Sequence, residues 1–183
     1  MTEEEVYFYS YLICRSRLSG KNRKTLIIAD EDEEKKTSLC SFFGENITKC
    51  RDGRLYVKKE IRNKIFDYGY NDDRAKKTIN ISEHPKMIIR GMLDGLPNKS
   101  TCTVCNGLLA MTITSNYYIV SLFHDIIKEQ LSINSEIFKT RNGRKYSYSI
   151  RYNHNDSIKI FLWAYNNDFK PRKNLFDYYT LIT

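Results

Sequence analysis

The sequence predicts an α+β fold built from two copies of one unit, and three observations carry that expectation. The order helix, strand region, helix, hairpin occurs twice within 183 residues, at a spacing of about 80 residues that marks an internal duplication. Each copy opens on an apolar helix with small residues four apart, Ser10 and Cys14 in the first and Gly91 and Gly95 in the second. Each copy also has a hairpin turned by a glycine, at Asp52-Gly53 and at Asn142-Gly143. A boundary at Pro85 divides the chain into units 1–84 and 85–183.

The first helix starts at Thr2-Glu3-Glu4-Glu5, where the Thr2 hydroxyl can cap the helix while Glu5 reaches back. Its body, Val6 onward to Cys14, is apolar nearly all round and therefore expected to be buried. The strand-like Thr25-Leu26-Ile27-Ile28-Ala29 follows a basic turn, and an acidic-start helix spans about residues 30–43 with Gly44 as its C-cap. A hairpin pairs residues 47–50 with 55–58. The second copy starts at Ser82-Glu83-His84-Pro85, with Pro85 in the first helical turn. Strand regions at 102–105 and 108–114 come next, then a helix capped by Ser115 with Ile119, Leu122, Phe123, Ile126 and Ile127 on one face. The closing strand spans 145–152.

Small residues at i and i+4 share one helix face, so the two leading helices are expected to pack closely there. Glycine inside a helix costs about 1 kcal/mol relative to alanine, which close packing offsets. The competing view is that Gly95 only ends its helix and Gly91 is incidental.

Composition narrows the partner. The net charge is +8, of which residues 1–85 supply +2 and residues 86–183 supply +6. That balance with 14 tyrosines suits a polyanion. No apolar run reaches membrane-spanning length and the N-terminus is acidic, so a cytoplasmic protein without membrane contact is expected. Five cysteines, an odd number, favour reduced thiols.

Four stretches resemble the LAGLIDADG homing endonuclease family in its two-repeat, single-chain form. Residues 4–19 resemble the first signature helix, and Ile88-Ile89-Arg90-Gly91-Met92-Leu93-Asp94-Gly95 the second. Residues 64–69 with Lys76-Lys77-Thr78 resemble the segment that precedes the second signature. Residues 161–165 with Pro171-Arg172-Lys173 and Phe176 resemble the usual C-terminal pattern. The resemblance implies two pseudo-symmetric αββαββα repeats, with the signature helices on a pseudo-twofold axis. It also implies a monomer whose two curved antiparallel sheets form a saddle over double-stranded DNA.

In active relatives each signature helix ends in an acid that holds a divalent cation, because polarising a phosphoryl oxygen and activating water need hard anionic ligands. Here Arg15 stands at the first such position and Leu96 at the second. Asp94 lies two residues earlier, about 200° round the helix. The expectation is a catalytically inactive, sequence-specific DNA-binding protein with no cofactor, acting as a regulator or recruitment factor. The alternative is a protein-binding inhibitor of a nucleic-acid-handling enzyme, encoded by a phage or mobile element.

The expected DNA contacts are Arg15, Arg17, Lys21, Arg23, Lys24, Arg54, Tyr56 and Lys58 in the first repeat. In the second they are Lys99, Arg144, Lys145, Ser147, Ser149 and Arg151. Strand alternation separates Lys145, Ser147, Ser149 and Arg151 from Tyr146, Tyr148, Ile150 and Tyr152, although a merely solvated sheet face gives the same pattern. Arg15 either clamps a phosphate bidentately or pairs with Glu83 or Asp94.

Metal and nucleotide motifs are weak. Cys102 and Cys105, with Cys40, Cys50 or His84, lack the second close pair a structural zinc site needs, and residues three apart on a strand face opposite ways. His84, His124 and His154 form no constellation, and Gly20 stands alone before Lys21 without a phosphate-loop pattern.

Overall fold

The leading helix α1 (Glu3–Arg15) is capped as its sequence predicts: the Glu5 backbone donates to the Thr2 hydroxyl at 3.2 Å, and the Thr2 backbone to the Glu5 carboxylate at 2.9 Å. Its residues from Val6 through Ile13 are all buried. The computed structural model describes residues 1–19, 25–28, 32–68, 83–96, 102–105, 108–142 and 145–165. Around α1 the first unit adds β1 (Ser16–Ser19), β2 (Thr25–Ile28), α2 (Glu33–Phe43), β3 (Ile47–Lys49), β4 (Leu55–Val57) and α3 (Lys59–Tyr68). The second repeats the order with α4 (Pro85–Gly95), β5 (Cys102–Cys105), β6 (Leu108–Ser115), α5 (Tyr117–Leu131), β7 (Ile137–Asn142), β8 (Lys145–Tyr152) and α6 (His154–Ala164). Both units read αββαββα.

Two four-stranded sheets result, ordered β1-β2-β4-β3 and β5-β6-β8-β7, each drawn from one unit and antiparallel throughout. In each sheet one face carries the core: Leu26, Ile28, Leu55 and Val57 in the first, Met111, Ile113, Ile150 and Tyr152 in the second. Among the described residues no helix is long and apolar enough to cross a membrane.

Boundaries move for identifiable reasons. The second helix starts at Glu33 rather than near residue 30, because the Asp32 carboxylate accepts from the Glu34 and Lys35 backbones. Asn116, not Ser115, caps α5: Ser115 completes β6 opposite Tyr148, and the Asn116 side chain accepts from Ile119 at 3.0 Å. Asn142 pairs with Lys145, so it ends β7 instead of entering the turn. Gly53 does turn its hairpin, with φ at 78°, a conformation that costs glycine little.

The helices α1 and α4 meet through the residues the sequence singled out. A Cβ at Gly91 would lie 2.7 Å from the Ser10 Cβ, and one at Gly95 would lie 2.5 Å from the Tyr11 carbonyl oxygen and 2.9 Å from the Cys14 Cβ. Gly91 is therefore not incidental, and Gly95 does more than end a helix. Ser10 also reaches α3, its hydroxyl 3.0 Å from that of Tyr68. Burial pushes the Tyr68 hydroxyl up from its ordinary 10.0 to about 12, with the Ser10 hydrogen bond opposing it. The stability this supplies is whole below pH 10.0 and is lost as pH rises through about 12. Melts across alkaline pH should show that decline, and Tyr68→Phe should flatten it. An unchanged slope in the variant would remove Tyr68 from the account.

Candidate nucleic-acid interface

The paired helices end side by side on Arg15 and Leu96. Arg15 is half-buried as the last residue of α1, and Leu96, following α4, is 2% exposed within the core. An apolar, buried side chain offers no oxygen to a cation, and a guanidinium repels one. Asp94 is taken: at 0% exposure it accepts from Tyr7 at 2.6 Å, Tyr165 at 2.7 Å and Lys35 at 3.0 Å. The Lys35 ammonium also sits over the Tyr7 ring. Arg90 flanks this cluster, buried, donating to the Ala164 carbonyl and lying over the Tyr165 ring. Among the described residues no group of three His, Cys, Asp or Glu side chains could hold a metal. The residues at the helix ends do not fit the divalent cation that the family resemblance implies.

The sheet faces turned away from the core carry the remaining candidates. On the first, Arg17 pairs with Ile27, Ile27 with Tyr56, and Tyr56 with Thr48, forming one row. Arg17, Tyr56 and Thr48 are exposed, while Ile27 between them is 1% exposed and lies outside the main apolar cluster. Lys58 is exposed beyond Tyr56. Arg54 is tied back: its guanidinium grips the Asp52 carboxylate, whose pKa those hydrogen bonds lower, and its backbone donates to the same side chain at 3.1 Å. The Asp-Gly turn that shapes the hairpin thus also neutralises the arginine expected to face outward.

On the second sheet, Arg151 is exposed opposite Thr112. Ser149 and Thr114 share a 2.8 Å hydroxyl contact, and Ser147 pairs with Thr140. This is the polar face that alternation predicted. Tyr146 departs from its expected partners: Ile150 and Tyr152 are buried, but Tyr146 is 56% exposed, with the Lys139 ammonium 4.1 Å from its ring centre. It lies toward the hairpin end, past the cover that α5 gives Ile150. The backbone of Lys145 starts β8, whereas Lys21, Arg23, Lys24, Lys99 and Arg144 lie outside the described residues.

Two αββαββα units, joined through their first helices and each carrying a four-stranded antiparallel sheet, define the LAGLIDADG fold, and this chain has it. Several solved structures share it. The N-terminal LAGLIDADG domain of WhiA matches at 14% identity and TM-score 0.55, over 97% of this chain and 88% of that one. I-DmoI, solved in complex with DNA and Mn, matches at 14% identity and TM-score 0.57, over 91% and 98%. The meganuclease I-SmaMI, bound to an uncleaved DNA target with calcium ions, matches at 12% identity and TM-score 0.55, over 98% and 88%. No family model matches the chain, and no curated protein does. The sequence resemblance holds at the level of fold, two antiparallel sheets with their helices.

Sequence reasoning missed the partners of Asp94, and it missed Phe138 and Leu108, both exposed. The strand alternation of β7 was the available signal for Phe138.

Proposed function

We propose that this protein binds double-stranded DNA through the open faces of its two sheets, reads its sequence, and does not cut it. The observation that carries the reading is the pair of outward sheet faces, bearing Arg17, Tyr56 and Lys58 on one side and Arg151 with rows of hydroxyls on the other. A strand pair fits the major groove, where arginine and hydroxyl side chains meet base edges. The DNA-bound neighbours of the same fold support that use of it. Arg15 and Leu96 at the helix ends, with Asp94 held by three donors, support binding without hydrolysis. Such a protein acts as a regulator or recruitment factor.

A gel shift on random and native flanking duplex, titrated with salt, tests the reading. The logarithm of the binding constant should fall linearly with the logarithm of salt. An absence of shift at low salt would favour the protein-binding inhibitor. Arg15→Ala should reduce the salt slope by about one if Arg15 holds a phosphate; a slope unchanged with reduced folding stability would assign it to a structural pair. The bound duplex should survive incubation with magnesium or manganese, and nicking by the purified protein would defeat the non-cutting half of the proposal.

A further inference from the structure

The outward face of the second sheet is hydroxyl-rich, yet Phe138 at 53% and Leu108 at 56% exposure stand on it without cover. Scattered surface apolar residues are ordinary, but these two line one groove that also contains Ala110, Glu136 and Arg151. Phe138 lies opposite Ser149, and Arg151 is the next outward residue along β8. Among the described residues the Arg151 guanidinium makes no ion pair or side-chain hydrogen bond, unlike Arg54. The groove therefore offers an available cation between two apolar surfaces, within the half of the chain that holds +6 of the net charge.

That combination matches one feature of duplex DNA. In the major groove, thymine alone among the four bases presents a methyl group, and guanine presents two acceptors to a guanidinium. Residues i and i+2 of a strand are about 6.8 Å apart, close to two base steps at about 3.4 Å each. A strand lying along the groove therefore places successive outward side chains about two base pairs apart. Resting on the DNA-binding reading above, we propose that Phe138 and Leu108 recognise thymine 5-methyl groups flanking the base read by Arg151. The second sheet then selects a half-site by methyl contact, while the first sheet, whose outward Ile27 is covered, does not.

The test uses the full chain and duplexes enriched from a random-sequence pool. Enriched duplexes are resynthesised with deoxyuridine replacing thymidine in one half-site at a time, which removes only the methyl group. Wild-type affinity should fall about fourfold for each methyl contacted, the effect of one buried methylene-sized group, and only when the replaced half-site is the one the second sheet covers. Phe138→Ala should bind the thymidine duplex more weakly and, leaving the share of Leu108, lose about fourfold of the distinction, that of one methyl contact. Phe138→Leu, which keeps an apolar contact, should retain it. Equal wild-type affinity for thymidine and deoxyuridine duplexes overturns the proposal while leaving DNA binding intact. Failure to enrich or bind any duplex overturns the DNA reading itself, and this inference with it.

Discussion

Gly91→Ala is expected to destabilise the protein by at least about 3 kcal/mol, the upper range for forcing volume into a packed interior. The added methyl would meet the Tyr7 carbonyl and lie 2.7 Å from the Ser10 Cβ. The carbonyl is backbone within α1, so relief requires moving the two helices apart. Separation would open the seam on which both units depend, because the buried stretches Val6 to Ile13 of α1 and Ile88 to Gly95 of α4 meet there through Gly91 and Gly95. The sign makes the measurement decisive. On an open helix surface the same substitution stabilises by about 1 kcal/mol, so a raised urea midpoint would show that the helices do not pack as described. A smaller loss is expected for Ser10→Ala, which adds no volume and leaves only the Tyr68 hydroxyl short of a partner.

Asp94→Ala is expected to cost about 3–5 kcal/mol, the usual effect of removing one member of a buried ion pair. The Lys35 ammonium, 16% exposed, would lose its counter-charge, and the Tyr7 and Tyr165 hydroxyls would lose their acceptor. The cluster joins α1, α2, α4 and the residue that follows α6, so the loss should appear as one cooperative shift in the denaturation midpoint. Adding Lys35→Met to the Asp94→Ala background should recover a measurable part of it, since the stranded charge is then removed. An Asp94→Ala protein of undiminished stability would return Asp94 to the pool of available metal ligands.

The helix seam was legible in the sequence because its requirement is local: two small residues four apart define a face whatever the partner is. The outward sheet faces were legible in part, since the alternation of Lys145 to Tyr152 sorts side chains by a rule that needs no tertiary information. Asp94 was not. Its donors Tyr7, Lys35 and Tyr165 are 87, 59 and 71 positions away, and nothing local in the sequence marks their convergence. The pairing of Arg54 was hidden for a different reason, because strand alternation gives direction but not occupancy, and Asp52 holds it. The helix start at Asn116 turned on competition, as β6 extends far enough to claim Ser115 for the sheet.

The two sheets share a topology but not a surface: a buried isoleucine with a cation and a tyrosine on one, hydroxyls with exposed phenylalanine and leucine on the other. A homodimer offers a duplex two identical hands and so cannot tell one direction of travel from the other. One chain with two unlike hands can. If it binds duplex DNA as proposed above, then at a site without two-fold symmetry it would always lie the same way round, with the first sheet toward one flank and the second toward the other. Whatever feature its back surface presents would then point consistently upstream or downstream, giving the bound complex a heading as well as an address.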